Sequence, residues 1–208
     1  DIMISVAKGN WDALDPELTP IQVNRGAVTK NASGNTVLVY ELKESLEEAA
    51  KPELEGKFTG DLEAAKTLAD NYVSWQMDHG GWGRQMEAQY KRQWDGKEPR
   101  SEQFPSDGTT ELGSIDNGAT VTQINRIALA YAETGIERYK ASIEKGIDFL
   151  LTMQHPSGGF PQVYPRQDIP GKTYTNYATY NDNAMVSVLM LFDDMLKKRY
   201  PFTGDLIS

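Results

Sequence analysis

Gln76-Met77-Asp78-His79-Gly80-Gly81-Trp82, followed by Asp116-Asn117-Gly118-Ala119-Thr120, returns later in the chain as Gln154-His155-Pro156-Ser157-Gly158-Gly159-Phe160, followed by Asp182-Asn183-Ala184-Met185. Each copy reads as a helix end, a Gly-Gly-aromatic turn, a loop, an Asp-Asn pair and a new helix. An internal repeat of this kind is the signature of stacked helical hairpins. It also predicts that the two Asp-Asn pairs stand at equivalent helix starts, within reach of one site.

Working outward, apolar residues at helical spacing predict helices over about 61–78, 118–134, 136–154 and 183–198. Thr59 or Gly60 is the expected cap of the first, and Gly135 the stop of the second. The short Thr134-Gly135 joint makes the middle two an antiparallel hairpin. Between the first two helices lies a long polar loop, 83–115, of a length that is usually functional or mobile. Residues 1–58 lack the repeat; Asn35–Tyr40 reads as a strand and Glu41–Ala50 as a short charged helix. The expected fold is therefore all-α. It is a partial α/α toroid at 59–208, with hairpins around an axis and the repeated motifs at one end, preceded by an irregular N-terminal arm at 1–58.

The chain has 208 residues, a net charge of −9 and no cysteine. That charge argues against nucleic acid and against anionic membrane surfaces, since no basic stripe exists to release counterions. A polyanionic partner would need local cations or a bound metal. Disulfides, thiolate catalysis and Cys-ligated zinc are excluded. The longest apolar run, Met185–Phe192, is too short to span a bilayer and reads as a buried helix face. The start at Asp1, without a signal peptide, reads as a mature or trimmed product.

Two readings of the Asp-Asn pairs stand side by side. Asp and Asn are favoured N-caps. Alternatively, Asp116 and Asp182 converge across a common mouth, where paired carboxylates bind a hard cation, act as acid and base on a glycoside, or grip hydroxyls. Two aspartates supply only some of the six to eight oxygens that calcium takes, so the rest would come from water or the ligand's own carboxylates. The Gly-Gly-aromatic turns are either helix stops with a packed ring, or places where a flat ring or a sugar approaches the backbone closely, with Trp82 among the candidate binding residues. Arg84 after the first turn, and Gln162, Tyr164 and Arg166 after the second, are candidates to meet an acidic sugar, arginine being a natural fork for carboxylate. His79 and His155 are read as partners of helix-terminal carbonyls rather than as a metal pair. Tyr174, Tyr177 and Tyr180 either line the cleft or cover helix ends.

Taken in order, Gly-Gly-Trp, Ile115-Asp116-Asn117-Gly118-Ala119-Thr120, Gly159-Phe160-Pro161-Gln162-Val163-Tyr164-Pro165 and Tyr180-Asn181-Asp182-Asn183-Ala184-Met185 resemble the family-10 polysaccharide lyases, the pectate lyases with an α/α toroid fold. The resemblance covers roughly 60–205. It implies a secreted or periplasmic bacterial protein that meets pectate, an acidic polysaccharide, with calcium held at Asp116 and Asp182. Asn117, Asn181, Asn183, Gln162 and Tyr164 would surround that site. In the family, calcium neutralises the uronate carboxylate while an arginine from the C-terminal half takes the proton at C5. That arginine has no counterpart in this sequence; Arg84, Arg92 and Arg166 are substitutes in principle, with nothing in the spacing to support any of them. No catalytic residue is assigned. The expectation is a non-catalytic pectate-binding module, within reach of other domains of a larger secreted enzyme. The alternatives are an active calcium-dependent pectate lyase and, more remotely, a toroid glycoside hydrolase.

Overall fold

The structure is a computed structural model that describes residues 3–4, 23–30 and 36–42 as backbone, and 58–178, 181–203 and 206 in full. The chain divides into two compact units, 1–53 and 54–208.

The described part of the first unit is an antiparallel sheet of β1 (Met3–Ile4), β2 (Val23–Lys30) and β3 (Thr36–Leu42), in the order β1-β3-β2. Val23 pairs with Leu42 and Lys30 with Thr36, with a register shift between Arg25 and Val28. The β-branched run read as a strand is β3. The described residues of the arm that lie in this first unit, expected to be irregular, are strand. Glu41 and Leu42 complete β3, so the expected helix does not begin there, and 43–50 lie outside the described residues.

The second unit carries four helices: α1 (Leu62–Trp75), α2 (Val121–Thr134), α3 (Glu137–Met153) and α4 (Ala184–Leu196). Asp61 caps α1, accepting the amides of Glu63 (2.9 Å) and Ala64 (3.2 Å). It takes the place of the expected Thr59 or Gly60 because its carboxylate reaches the unpaired first-turn N–H groups. Gly135, left-handed, ends α2, and α3 turns back beside it. Helix α2 is the centre of the unit, packing against α1, α3 and α4. Its Ile124, Ile127 and Ala128 are fully buried, together with Trp75 of α1, Tyr139, Ile143 and Leu150 of α3 and Val188 of α4. Phe149 of α3 stacks on His79, and its ring fills the space that a Cβ at Gly81 or Gly113 would need. The turn end of the first repeat is thereby fixed to α3.

Two short strands not anticipated from sequence join the repeats. β4 (Gly113–Ser114) pairs antiparallel with β5 (Val163–Tyr164). The long 83–115 loop is pinned rather than loose: Arg100 bridges Glu111 and Asp78 and lies over Trp94, while Arg92 pairs with Glu98. No helix among the described residues is long and apolar enough to cross a membrane.

Candidate functional site

The two Gly-Gly-aromatic turns are one structure built twice. Gln76 Nε2 donates to the Gly80 carbonyl (2.8 Å) and Gln154 Nε2 to that of Gly158 (2.9 Å). Met77 N–H donates to Gly81 (3.1 Å) and His155 N–H to Gly159 (2.8 Å); Gly80 and Gly158 close the turns by donating back to Met77 and His155. Gln76 therefore corresponds to Gln154 and Trp82 to Phe160. Both rings are buried. Trp82 donates its indole N–H to the Tyr72 carbonyl (2.8 Å) and its backbone N–H to Thr120 Oγ1 (3.1 Å). Trp82 is a wedge in the core and offers no face to a sugar, which corrects its placement among the binding residues.

Neither histidine meets the last carbonyls of its own helix; each reaches the backbone of a distant segment. His79 accepts the Gly81 N–H at Nδ1 (3.2 Å), so its proton is on Nε2, which donates to the Glu111 carbonyl (3.1 Å). His155 Nε2 meets the Asn176 carbonyl (2.9 Å). Burial pushes the His79 pKa below its ordinary value. Its neutral form therefore stabilises the fold fully above the unfolded value near 6.5, and this contribution is lost as pH falls from there toward the lower folded value. Thermal melts from pH 7.5 down to 5 are expected to show a decline that His79→Gln reduces.

The Asp-Asn turns are related with a slip of one residue. In the first, Asn117 (φ 52°) and Gly118 (φ 74°) are left-handed; in the second, Asp182 (φ 48°) and Asn183 (φ 56°) are. Asp116 thus corresponds to Asn181, and Asn117 to Asp182. The histidine-held carbonyls agree, each lying five residues ahead (111 to 116, 176 to 181). The two turns pack against each other, and α4 packs against the first. Neither aspartate is a cap: Thr120 and Asn183 occupy the N-cap positions of α2 and α4, without side-chain cap bonds.

Asp116 is nearly buried, its side chain 7% exposed. Oδ2 receives Arg84 Nη1, and Oδ1 accepts the Asn117 N–H (3.1 Å). Arg84 Nε donates in turn to Glu102 Oε1 (2.7 Å). Ser114 Oγ accepts the Asp116 N–H (3.0 Å) and donates to the Gln162 carbonyl (3.0 Å), which also accepts the Ile115 N–H (3.0 Å). The first turn is thereby tied to the strand of the second repeat. For Arg84, burial works to lower the pKa, but the hydrogen bonds and charges of Asp116 and Glu102 outweigh it and hold the guanidinium above its ordinary value.

Of the remaining candidates, Asp182 is exposed and accepts from Asn181 Nδ2 (2.6 Å), with Asn183 exposed beside it. Gln162 is buried, and Tyr164 is half-buried with its ring in a T-shaped contact with Phe149. Arg166 is exposed just beyond β5. Tyr174 and Tyr177 are exposed, and Tyr180 lies outside the described residues. The sequence reading missed Glu102 and Ser114. Ser114 had a local signal, a hydroxyl two residues before an aspartate; Glu102 had none.

A family model described as pectic acid lyase matches residues 76–208, more than half of the chain and both repeats. The chain belongs to the pectic acid lyase family. Among solved structures it is similar to the family 10 polysaccharide lyase from Cellvibrio cellulosa, with 31% identity and a TM-score of 0.54, over 71% of this chain and 42% of that one. A mutant of that lyase in complex with trigalacturonic acid matches at 29% identity and a TM-score of 0.51, over the same shares. The chain spans less than half the length of these lyases. No curated protein matches it.

The pectic acid lyase family implies calcium. Asp116, Asp182 and the neighbouring asparagine amides are oxygen donors of the right kind for a hard cation. They are too few alone: no group of three His, Cys, Asp or Glu side chains clusters for a metal among the described residues. One oxygen of Asp116 already holds Arg84. A cation here would need a ligand's carboxylates to complete its shell.

Proposed function

We propose that this chain is a pectate-recognising domain in which the paired turns around Asp116 and Asp182 hold polygalacturonate without cleaving it. The observation that carries this reading is the Glu102–Arg84–Asp116 chain beside the second Asp-turn. In a protein of net charge −9 it sets a fixed guanidinium at the site, the group best matched to a uronate carboxylate. Gln162, Asn117, Asn181 and Asn183 are the hydroxyl partners in this reading, with Tyr164 and Arg166 at its edge. Calcium, held by Asp182 and the free lone pairs of Asp116, would neutralise uronate carboxylates when bound. In this reading Arg84 binds and is not an eliminating base. An eliminating base must give up its proton, and two carboxylates hold that of Arg84 in place.

Family membership favours a second reading, an active calcium-dependent pectate lyase acting by β-elimination, with the exposed Arg166 as a candidate base. In either case we take the protein to be secreted or periplasmic and the helical unit to be an incomplete α/α toroid. The outward row Val186, Leu189 and Met190 on α4 suits packing against further helices of a larger enzyme. Incubation with polygalacturonate and calcium separates the readings. The binding reading predicts no ultraviolet-absorbing unsaturated product even at high protein concentration; its steady appearance, abolished by Arg166→Ala, establishes the lyase.

A further inference from the structure

We propose that the cleft between α1, the 83–91 loop and the start of α2 is a further uronic-acid subsite, continuous with the Asp116 site through Arg84; this rests on the pectate-binding reading. The cleft has a volume of about 280 Å³, and its walls include Tyr72, Arg84, Glu87, Lys91, Asn117 and Gln123. Arg84 belongs to both places, lining the cleft while its guanidinium bridges Glu102 and Asp116. A polymer engaged at Asp116 therefore has a neighbouring hollow to enter.

Gln123 is the observation that points to a ligand. Its residue is 6% exposed, yet its Oε1 is buried and has no hydrogen-bond partner among the described residues. A buried amide without a partner destabilises a fold, so it is retained where something else satisfies it. A half-turn of the amide presents either its oxygen or its nitrogen to a sugar hydroxyl. Lys91, exposed and without an ion-pair partner among the described residues, supplies a cation for the carboxylate. Tyr72 and Leu68 give the apolar wall on which a sugar ring rests. Two non-glycine residues of the lining, Gln85 (φ 55°) and Asn117 (φ 52°), are held left-handed, a strain that persists where the surroundings impose it and that gathers at binding sites.

The test is a titration of the ¹⁵N-labelled full chain with trigalacturonate, alongside Gln123→Met and Lys91→Ala. Amide signals of Gln85, Lys91 and Gln123 are expected to move together with those of Asn117 and Asn183. Gln123→Met should melt no lower than the parent, because it removes an unsatisfied amide at nearly constant volume. Both variants should bind trigalacturonate at least fivefold more weakly. Signals that move only around Asp116 and Asn183, or variants that bind like the parent, overturn the subsite and leave pectate recognition standing. No movement anywhere overturns both.

Discussion

Asp116→Ala is expected to abolish pectate binding and to lower stability by about 2–4 kcal/mol, well beyond the ~1 kcal/mol of a lost cap. The carboxylate is nearly buried and meets a guanidinium only 29% exposed. Deleting one partner of such a pair strands the other. The expected cost stays at or below the usual range for buried pairs because Arg84 keeps Glu102 and some contact with water. The Asn117 N–H also loses its acceptor, which loosens the left-handed turn that faces Asp182. Urea melts read the stability and calorimetry with polygalacturonate reads the binding. A drop near 1 kcal/mol with binding intact would show that Asp116 only supports the local turn.

The second large effect is expected at Gly80. The matched turns make Gly80 and Gly158 equivalent, both with positive φ (99° and 88°). A Cβ at Gly80 would lie 2.1 Å from the Lys145 carbonyl oxygen, whereas nothing lies within 4 Å of one at Gly158. Gly158→Ala should therefore cost only the backbone strain, about 1–2 kcal/mol. Gly80→Ala adds a collision with helix backbone that cannot swing aside, and should cost at least about 4 kcal/mol or prevent folding. Parallel thermal melts of the two variants decide this; equal losses would mean that the first turn does not press on α3 as described.

The four helices were legible because each carries an apolar stripe of helical period long enough to outweigh local ambiguity, as Ile124, Ile127 and Ala128 do in α2. The two repeats were legible from Gly-Gly-aromatic alone, since the same three backbone and glutamine hydrogen bonds form in both. The ribbon of β4 and β5 was not: two-residue strands have no alternation to read, and their pairing is set by where the repeats meet. The matching of Asp116 to Asp182 followed letter identity, whereas the backbone follows conformation. Gly118 after Asn117 was the hint, because asparagine, aspartate and glycine are the residues that tolerate left-handed φ, and that pair recurs as Asp182-Asn183. Trp82 misled because an aromatic beside glycines reads equally as a platform or a wedge; only packing against α1 and Thr120 decides. The Arg84–Glu102 contact joins loop residues with no period between them, so no pattern announces it.

The most direct test of pectate recognition at the paired turns is calorimetric titration of the full chain with polygalacturonate, with and without a calcium chelator, beside Asp116→Asn. The account predicts saturable binding that weakens on chelation and is lost in the folded Asp116→Asn variant. A parent chain that binds in neither condition, or a folded Asp116→Asn variant that binds as tightly as the parent, contradicts it.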